Sequence, residues 1–526
     1  MGQGIRRMAE SRVKKSFLNA RINLIFYILV LGVTFFSRRM FLEKLGDDFI
    51  GLTTTLSNLL GLLNLAELGI GGAVAYMLYK PLVQGDRSEV NGIMSVFGFV
   101  YNRIGWVISI AALVLACFLP LIFHDVPFSL PLIYFAYCSY LVSALLSYFI
   151  NYRQLLLSAD QRQYVVTGYY QGANILRLLI QMLVLYRTNN PYYWVAIEIS
   201  FSGIYSFILN KRINKAYPWL KAEVKKGKAL FKEYPQLIKY TKQIFVHKVG
   251  AVVLFNLSPV FIYSYTSLTM VAFYANYQII FGKIQQLIAQ LVGSADAGVG
   301  QLVAENNREK TIKVFRELQA LKYYIAGCAT IIIWFTVNPF IDNWIGKGYQ
   351  LPSVTLAIML VNLFIMFSRS AVDSFIGGHG LFYDVWAPLT EAAINIGVSI
   401  VGGIFWGLNG VLLGTTVSLL AIVVIWKPYF LCSKGFRVSV WRYWLTTFRL
   451  YLLIVVAFIG VWTFSHYVHL VDPSQGFINW IIYTSAITIF CGIMLYGLMY
   501  TFVPGMRQIT HRIFHLAKGR FAGKRH

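Results

Sequence analysis

Charged residues are scarce in this sequence. Asp, Glu, Lys and Arg together make up 13% of its 526 residues, about half the share found in soluble domains. Hydrophobic residues make up 57%, and the mean hydropathy is +0.61. This composition excludes an ordinary soluble protein and indicates a chain that crosses a membrane many times.

The short motifs of nucleotide and metal chemistry are also missing. There is no GxxxxGK[ST] loop and no HExxH, and the eight histidines show no metal-ligand spacing. The five cysteines are scattered and form no CxxC pair, which is typical of small buried hydrophobic residues. No predicted loop exceeds 211–239, which is too short for a nucleotide-sugar domain. We therefore expect a transporter without cofactor or metal, rather than a membrane-embedded glycosyl-transfer enzyme.

Long apolar runs dominate the remaining sequence. A helix needs about 20 residues to span a bilayer, and fourteen runs approach or exceed that length. They predict an all-α polytopic membrane protein with about 14 transmembrane helices. Because MGQGIRRMAESRVKK is basic and polar, the run after it is interpreted as a retained first helix. The runs are 20–41, 49–79, 92–123, 128–156, 164–187, 191–210, 240–265, 267–295, 320–341, 352–377, 385–406, 408–431, 443–466 and 477–502.

The basic residues lie mostly on one side of these spans. All but eight of the 46 Lys and Arg fall on the side of the N-terminus, which predicts that both termini are cytoplasmic. Basic loops at the inner face meet anionic lipid, so the net charge of +25 needs no nucleic acid. The other eight lie outside or within spans: Arg38, Arg39, Lys44, Arg187, Lys347, Arg177, Lys283 and Arg369.

A short motif recurs at the same place in two halves of the chain. Glu67-Leu-Gly-Ile-Gly71 and Asp296-Ala-Gly-Val-Gly300 each end the second helix of a half. Two six-helix halves of equal orientation predict a parallel repeat about an axis along the membrane normal. The basic segment 211–239 separates them. The predicted organisation is an N-terminal tail 1–19, an N-lobe 20–210, a linker 211–239, a C-lobe 240–431, two further helices within 432–502, and a basic tail 503–526.

Basic residues within the spans are candidates for binding an anion. A cation at mid-span costs about 2.5–3.5 kcal/mol on insertion scales, so a functional or paired role is the default interpretation. Arginine binds phosphate oxygens bidentately, and lysine acts as a point charge. The alternatives are snorkelling to the headgroups, or pairing, as of Arg369 with Asp373 one helical turn later. The candidates for a cationic cavity are Arg38, Arg39, Arg177, Lys283 and Arg369.

Acidic residues in the spans are fewer. A buried acid can exchange a coupling proton, or it can be a hydrogen-bonded structural group. Glycines beside Glu67 and Asp296 permit close helix approach or a bend, and Glu391 shares a helix face with Asn395. The candidates for coupling or gating are Glu67, Glu198, Asp296, Asp373 and Glu391.

Several stretches resemble a known family. NLAELGIGGAVAYMLYKPLVQGD, LEKLGDDFIGL, QLVAENNREKT, DNWIGKGYQLP, EAAINIGVSIVGG and GLNGVLLGTTVS are similar to the Wzx-like polysaccharide-transport flippases. These belong to the multidrug/oligosaccharidyl-lipid/polysaccharide (MOP) superfamily, and the resemblance covers about residues 20 to 450. It implies fourteen helices in two lobes of six with an extra C-terminal pair. It also implies export of undecaprenyl-diphosphate-linked oligosaccharide repeat units across the bacterial inner membrane for capsule, O-antigen or exopolysaccharide synthesis.

The resemblance predicts an alternating-access mechanism, in which the headgroup crosses a cationic cavity while the lipid tail stays in the bilayer. A negative-inside potential favours anion export by about 2.3 kcal/mol per charge per 100 mV, and proton or sodium antiport is the alternative energy source. Expected partners are the lipid-linked oligosaccharide, membrane lipids and other polysaccharide-assembly proteins. The alternatives in function are a MATE-like cation-coupled drug exporter, which favours an acidic cavity, and a lipid II flippase.

Overall fold

Helices make up nearly all of the chain in a computed structural model. It describes residues 2–522 apart from 64–69, 161, 235–255, 306, 382 and 469–470, and these residues contain no β-strand. The α-helices are α1 Gly2–Leu45, α2 Asp47–Leu63, α3 Ile70–Gln84, α4 Arg87–Ile122, α5 Leu130–Phe149, α6 Gln154–Ala159, α7 Gln163–Thr188, α8 Pro191–Ala216, α9 Val224–Leu230, α10 256–265, α11 Leu268–Ala304, α12 Arg308–Trp344, α13 Ser353–Ser368, α14 Ser370–Gly378, α15 Trp386–Ser418, α16 Lys427–Phe430, α17 Trp441–Tyr467, α18 Phe477–Phe502 and α19 Pro504–Ala522.

The predicted class, an all-α polytopic membrane protein, is confirmed. Each of the fourteen predicted runs overlaps at least one helix. Within the described ranges, nine helical segments are long and apolar enough to cross a membrane. They are Arg21–Leu45, Arg87–Ile122, Leu130–Phe149, Pro191–Ala216, Arg308–Trp344, Ser353–Gly378, Trp386–Phe436, Trp441–Tyr467 and Phe477–Phe502.

Several helices begin where a polar side chain caps the first turn. Asp86 accepts a hydrogen bond from the backbone of Glu89 at the start of α4, and Asn307 does the same for Lys310 at the start of α12. Asn190 caps α8, whose first residue is Pro191. A side-chain oxygen satisfies a backbone N–H that the helix itself leaves without a partner. These caps therefore fix where the helices begin.

The two acid-x-Gly-x-Gly motifs fall on different parts of the structure. Glu67 lies outside the described residues, between α2 and α3. Asp296 lies within α11. The role predicted for each acid stays a prediction.

The runs 385–406 and 408–431 form a helical hairpin. The chain reverses at Gly407, whose φ of 52° and ψ of −127° suit glycine alone. Across the hairpin, Asn395 Nδ2 donates to Thr415 Oγ1 at 3.0 Å, and Ser399 Oγ donates to the Val411 carbonyl at 3.0 Å. Both pairs are centred on residue 405, two residues before the turn, as two antiparallel arms require.

Glycines hold the two arms of this hairpin close together. A Cβ atom placed on Gly410 would lie 1.8 Å from the carbonyl oxygen of Gly402, and one on Gly402 would lie 2.6 Å from that of Gly410. Only a residue without a side chain permits this backbone contact. The close approach therefore depends on glycine at both positions.

The contacts divide the chain into two compact units, Met1–Ala272 and Phe273–His526. The first has an apolar core between α3, α4 and α8, with Leu78, Met94 and Leu209 fully buried. In the second, α17 and α18 pack on α12 through fully buried residues such as Ala457 and Leu495. The predicted lobe boundaries at 211–239 stay a prediction.

The first part of the basic segment 211–239 packs against α4. Its backbone N–H groups at Lys221 and Glu223 donate to Asn91 Oδ1 and Ser95 Oγ, at 2.8 and 2.9 Å. Gly227 in α9 lies so close to the Ser95 carbonyl that a Cβ atom would come within 2.3 Å of it. The segment up to residue 234 therefore folds onto the first unit, and its lysines lie at that surface.

Candidate functional site

An ion pair joins α7 and α8 inside the first unit. Arg177 Nη1 contacts Glu198 Oε2, and the two side chains are 19% and 16% exposed. Arg177 Nη2 also donates to Asn174 Oδ1 at 2.6 Å, and Gln181 Nε2 donates to the same Glu198 oxygen at 3.3 Å. Sequence analysis predicted Arg177 and Glu198 separately, as a cavity cation and a coupling acid. The structure brings them together, so each lowers the cost of placing the other in the span.

We expect this pair to show strong coupling in a double-mutant cycle. Arg177→Met and Glu198→Met each leave one buried charge alone, whereas the double variant leaves none. The sum of the two single losses in the free energy of unfolding should therefore exceed the loss in the double variant by about 1–2 kcal/mol. Unfolding of the purified protein in micelles measures all four forms. Additive effects would show that the two charges do not stabilise each other.

A larger charge group lies in the second unit, where α14, α15 and α16 contribute. Arg369 Nε lies 2.7 Å from Asp373 Oδ2, and Lys427 Nζ lies 2.7 Å from Asp373 Oδ1. Each oxygen of the Asp373 carboxylate is therefore paired with one cation. Arg369 Nη1 is also 4.0 Å from Glu391 Oε1. The pairing of Arg369 with Asp373 follows the spacing of four residues on which it was predicted.

Glu391 is the most buried acid of this group. Its side chain is 6% exposed, and its Oε1 has no hydrogen-bond partner among the described residues. Its neighbour on the same helix face, Asn395, donates its amide N–H to Thr415 across the hairpin. Among the ion pairs described, the charged group that lies nearest to Glu391 Oε1 is the guanidinium of Arg369, at 4.0 Å.

Two lysines of the group were not among the predicted site residues. Lys427 lies near the inner end of the run 408–431, and sequence analysis assigned it to the inner face. In the structure it lies between two π-helical segments, Leu419–Trp426 and Leu431–Phe436, and its side chain contacts Asp373. Lys322 lies near the start of the run 320–341. It is buried, and its Nζ donates to the Ser370 carbonyl at 3.1 Å and to Ser374 Oγ at 3.2 Å.

A sequence signal existed for Lys322. The cap at Asn307 starts α12 at Arg308, so Lys322 lies about four turns into the helix. Polar sequence before the apolar run concealed this depth. For Lys427 the signal was weaker, because π-helical turns are not visible in the pattern of apolar residues.

The remaining candidates lie at other places. Arg38 Nη2 donates to the Ala272 carbonyl at 3.3 Å. Arg39 is 59% exposed and pairs with Glu43 one turn later at 2.9 Å. Lys283 is half-buried within α11. A role of these three in a cationic cavity stays a prediction.

The five charged residues of this group have a positive balance. Three cations, Lys322, Arg369 and Lys427, accompany two acids, Asp373 and Glu391. Protonation of either acid would increase the positive charge further. This arrangement suits an anion that competes with Asp373 for its cations. Among the residues described, no group of three or more His, Cys, Asp or Glu is placed to hold a metal ion.

No protein-family model and no curated protein matches the sequence. Solved structures do match. One is a lipid II flippase, MurJ, in an inward closed conformation, with a TM-score of 0.60 and 14% identity over 92% of this chain and 99% of that chain. Another is an inward-facing multidrug resistance MATE family transporter of the MOP superfamily, with a TM-score of 0.56 and 12% identity over 79% of this chain and 97% of that chain. The chain therefore shares its fold with these two solved structures.

Proposed function

We propose that this protein is a flippase for undecaprenyl-diphosphate-linked oligosaccharide in the bacterial inner membrane. It moves repeat units outward by alternating access, for assembly of a surface polysaccharide. The observation that carries the proposal is the positive balance of the largely buried charge group in the second unit. A lipid-linked diphosphate is an anion that must cross a medium in which bare charge is costly.

The charge group provides exchangeable partners for a diphosphate. Arg369 presents a planar guanidinium that suits two phosphate oxygens, and Lys427 and Lys322 act as point charges. In the present structure Asp373 holds two of these cations at 2.7 Å. A phosphate that replaces the carboxylate leaves no cation alone at any stage. This exchange lowers the cost of both the empty and the loaded state.

A cation-coupled drug exporter fits the charge pattern less well. Such a protein favours an acid that a cationic drug can approach. Three of the predicted span acids, Glu198, Asp373 and Glu391, each lie beside an arginine. A cationic ligand would have to displace that arginine and leave it buried without an acid.

A lipid II flippase is the second candidate. The likeness to the MurJ structure, over 92% of this chain, favours it. The charge group does not separate the two candidates, because lipid II also carries a diphosphate. Both substrates therefore belong in the test.

The test is flipping in proteoliposomes that contain either lipid. Undecaprenyl-diphosphate-linked oligosaccharide or lipid II is placed in one leaflet, and its arrival in the other is measured by the access of an added oxidant or enzyme to the sugars. We expect the oligosaccharide lipid to flip. Lys322→Gln removes one positive charge and leaves Arg369 and Lys427 on Asp373, so the flipping rate should fall about tenfold or more. Lys226→Gln, at an exposed ion pair with Glu223, is the matched control and should flip at the original rate.

The possible results separate the candidates. Flipping of lipid II alone would assign the second function. Absence of flipping of both lipids, with transport of a cationic dye, would instead assign a drug exporter. Equal loss of flipping in Lys226→Gln and Lys322→Gln would remove the argument from the buried charge group.

A further inference from the structure

Two rows of polar residues face the interior of the first unit. Both rows have a spacing of four, which places their members on one face of a helix. The row on α5 and the turn after it consists of Ser139, Ser143, Ser147 and Asn151. The row on α8 consists of Glu198, Ser202, Ser206 and Asn210.

The two rows contact each other across the helix interface. Ser143 Oγ lies 2.9 Å from Ser202 Oγ, and Asn151 Nδ2 donates to Ser206 Oγ at 2.8 Å. Asn210 Nδ2 donates to Asn151 Oδ1 at 3.2 Å. Ser202 and Ser206 also donate to carbonyls of their own helix, so neither hydroxyl needs a partner from α5.

A cavity opens beside these rows, between α5, α7 and α8. Its volume is about 320 Å³, at the lower end of the range for small-molecule sites. That space would hold on the order of ten waters at about 30 Å³ each. One or two structural waters therefore do not account for it.

The walls of the cavity combine three kinds of group. The Arg177–Glu198 pair supplies two opposite charges that compensate each other. Asn174 and the serines supply neutral donors and acceptors. Tyr170 and Tyr205 supply aromatic surface, with their ring centroids 5.5 Å apart in an edge-to-face arrangement.

This combination selects against ions. An anion would have to displace Glu198 from Arg177, and a cation would have to displace Arg177 from Glu198. A neutral ligand with several hydroxyl groups can bond to both charges without separating them. An aromatic wall in addition favours a ligand with one apolar face.

We propose that this cavity is a binding site for one neutral sugar ring. The inference rests on the proposed function, in which the sugar belongs to the passenger, and names a carbohydrate subsite within the first unit. The hydroxyl groups of the ring bond to Arg177, Glu198 and Asn174, and its C–H face lies on the tyrosines. Tyr170 is 54% exposed and forms the outer wall, whereas Tyr205 is fixed by its hydroxyl, which donates to Gln154 Oε1 at 3.0 Å.

The test is direct binding of free monosaccharides to the full chain in nanodiscs without sugar-headed detergent. D-Glucose, D-galactose, D-mannose, L-rhamnose and N-acetyl-D-glucosamine are the probes, and saturation-transfer NMR reports contact and affinity. We expect at least one sugar to bind. Ala173→Phe fills the cavity from α7 and should weaken that binding at least tenfold. Ser200→Phe, on an exposed position of α8 outside the cavity, is the matched control and should bind the sugar as the original protein does.

A second variant guards against misfolding of the filled cavity. The change Asn174→Ala keeps the space and removes an amide that bonds to the sugar ring, and it should weaken binding about three- to tenfold. The proposal fails if none of the five sugars binds, or if Ala173→Phe binds as tightly as Ser200→Phe. Flipping of the lipid-linked oligosaccharide is measured separately, so sugar binding without flipping would contradict the proposed function and leave the subsite standing. Flipping without sugar binding would contradict the subsite alone.

Discussion

Asp373→Asn should lower the free energy of unfolding by about 2 kcal/mol, because it removes the shared partner of two largely buried cations, and an ion pair with a partly exposed carboxylate lies between the exposed and the buried cases. Asp373 is the shared partner of Arg369 and Lys427, at 2.7 Å from each. The side chains of those two cations are 18% and 17% exposed and that of Asp373 is 35% exposed, so the change leaves two largely buried cations without their nearest anion. Chemical unfolding of the purified protein in micelles measures the effect.

Removal of one of the two cations should lower the free energy of unfolding much less than removal of Asp373. Lys427→Met leaves Asp373 paired with Arg369, and the lysine stem is replaced by an apolar chain of similar length. We expect a loss of about 1 kcal/mol or less for this variant. Adding Lys427→Met to Asp373→Asn should restore part of the lost stability, because one of the two stranded cations is then gone.

Glu43→Gln is the matched control for removal of an acid. The Arg39–Glu43 pair has the same spacing as Arg369–Asp373, but both of its side chains are 59% exposed. An exposed pair contributes about 0.2–1 kcal/mol. If Asp373→Asn were no more destabilising than Glu43→Gln, the charge group would be hydrated, and its cations would not need a counter-ion.

The charge groups show which contacts a sequence can predict. Arg369 directly precedes α14 with helical backbone angles, and its carbonyl accepts a hydrogen bond from the backbone N–H of Asp373. The pairing of the two side chains therefore follows from helix geometry alone. Arg177 and Glu198 lie on different helices, yet each is about ten residues from the turn at Asn189. Antiparallel helices joined by a short turn place such positions side by side, so the contact was available from the predicted span limits.

Other contacts could not be predicted from the residue pattern. The direction of Lys427 depends on two π-helical segments, which change the phase of the helix before and after it. The bond from Arg38 to the Ala272 carbonyl joins residues far apart in the sequence and depends on how distant segments of the first unit pack. A hydropathy pattern records how apolar each face is, but it does not record which residues of two helices meet.

The second large effect is expected at the glycine contact of the α15 hairpin. Gly410→Ala places a methyl group 1.8 Å from the carbonyl oxygen of Gly402, and backbone on both arms leaves no flexible side chain to yield. The arms must separate, which should lower the free energy of unfolding by about 3 kcal/mol. Separation also lengthens the Asn395–Thr415 bond and moves Glu391, which lies one turn before Asn395. Flipping should therefore fall together with stability.

Gly397→Ala provides the control on the same helix. No atom lies within 4 Å of the Cβ position at Gly397, so the methyl group meets open space. Alanine is favoured over glycine in a helix interior by about 0.5–1 kcal/mol, and this variant should be as stable as the original protein or more so. Thermal unfolding in micelles compares the two alanine variants directly. The effect of a Gly→Ala substitution on the free energy of unfolding should thus have opposite signs at positions 397 and 410. Equal effects at both positions would mean that intrinsic helix propensity, rather than contact between the two arms, determines the effect at Gly410.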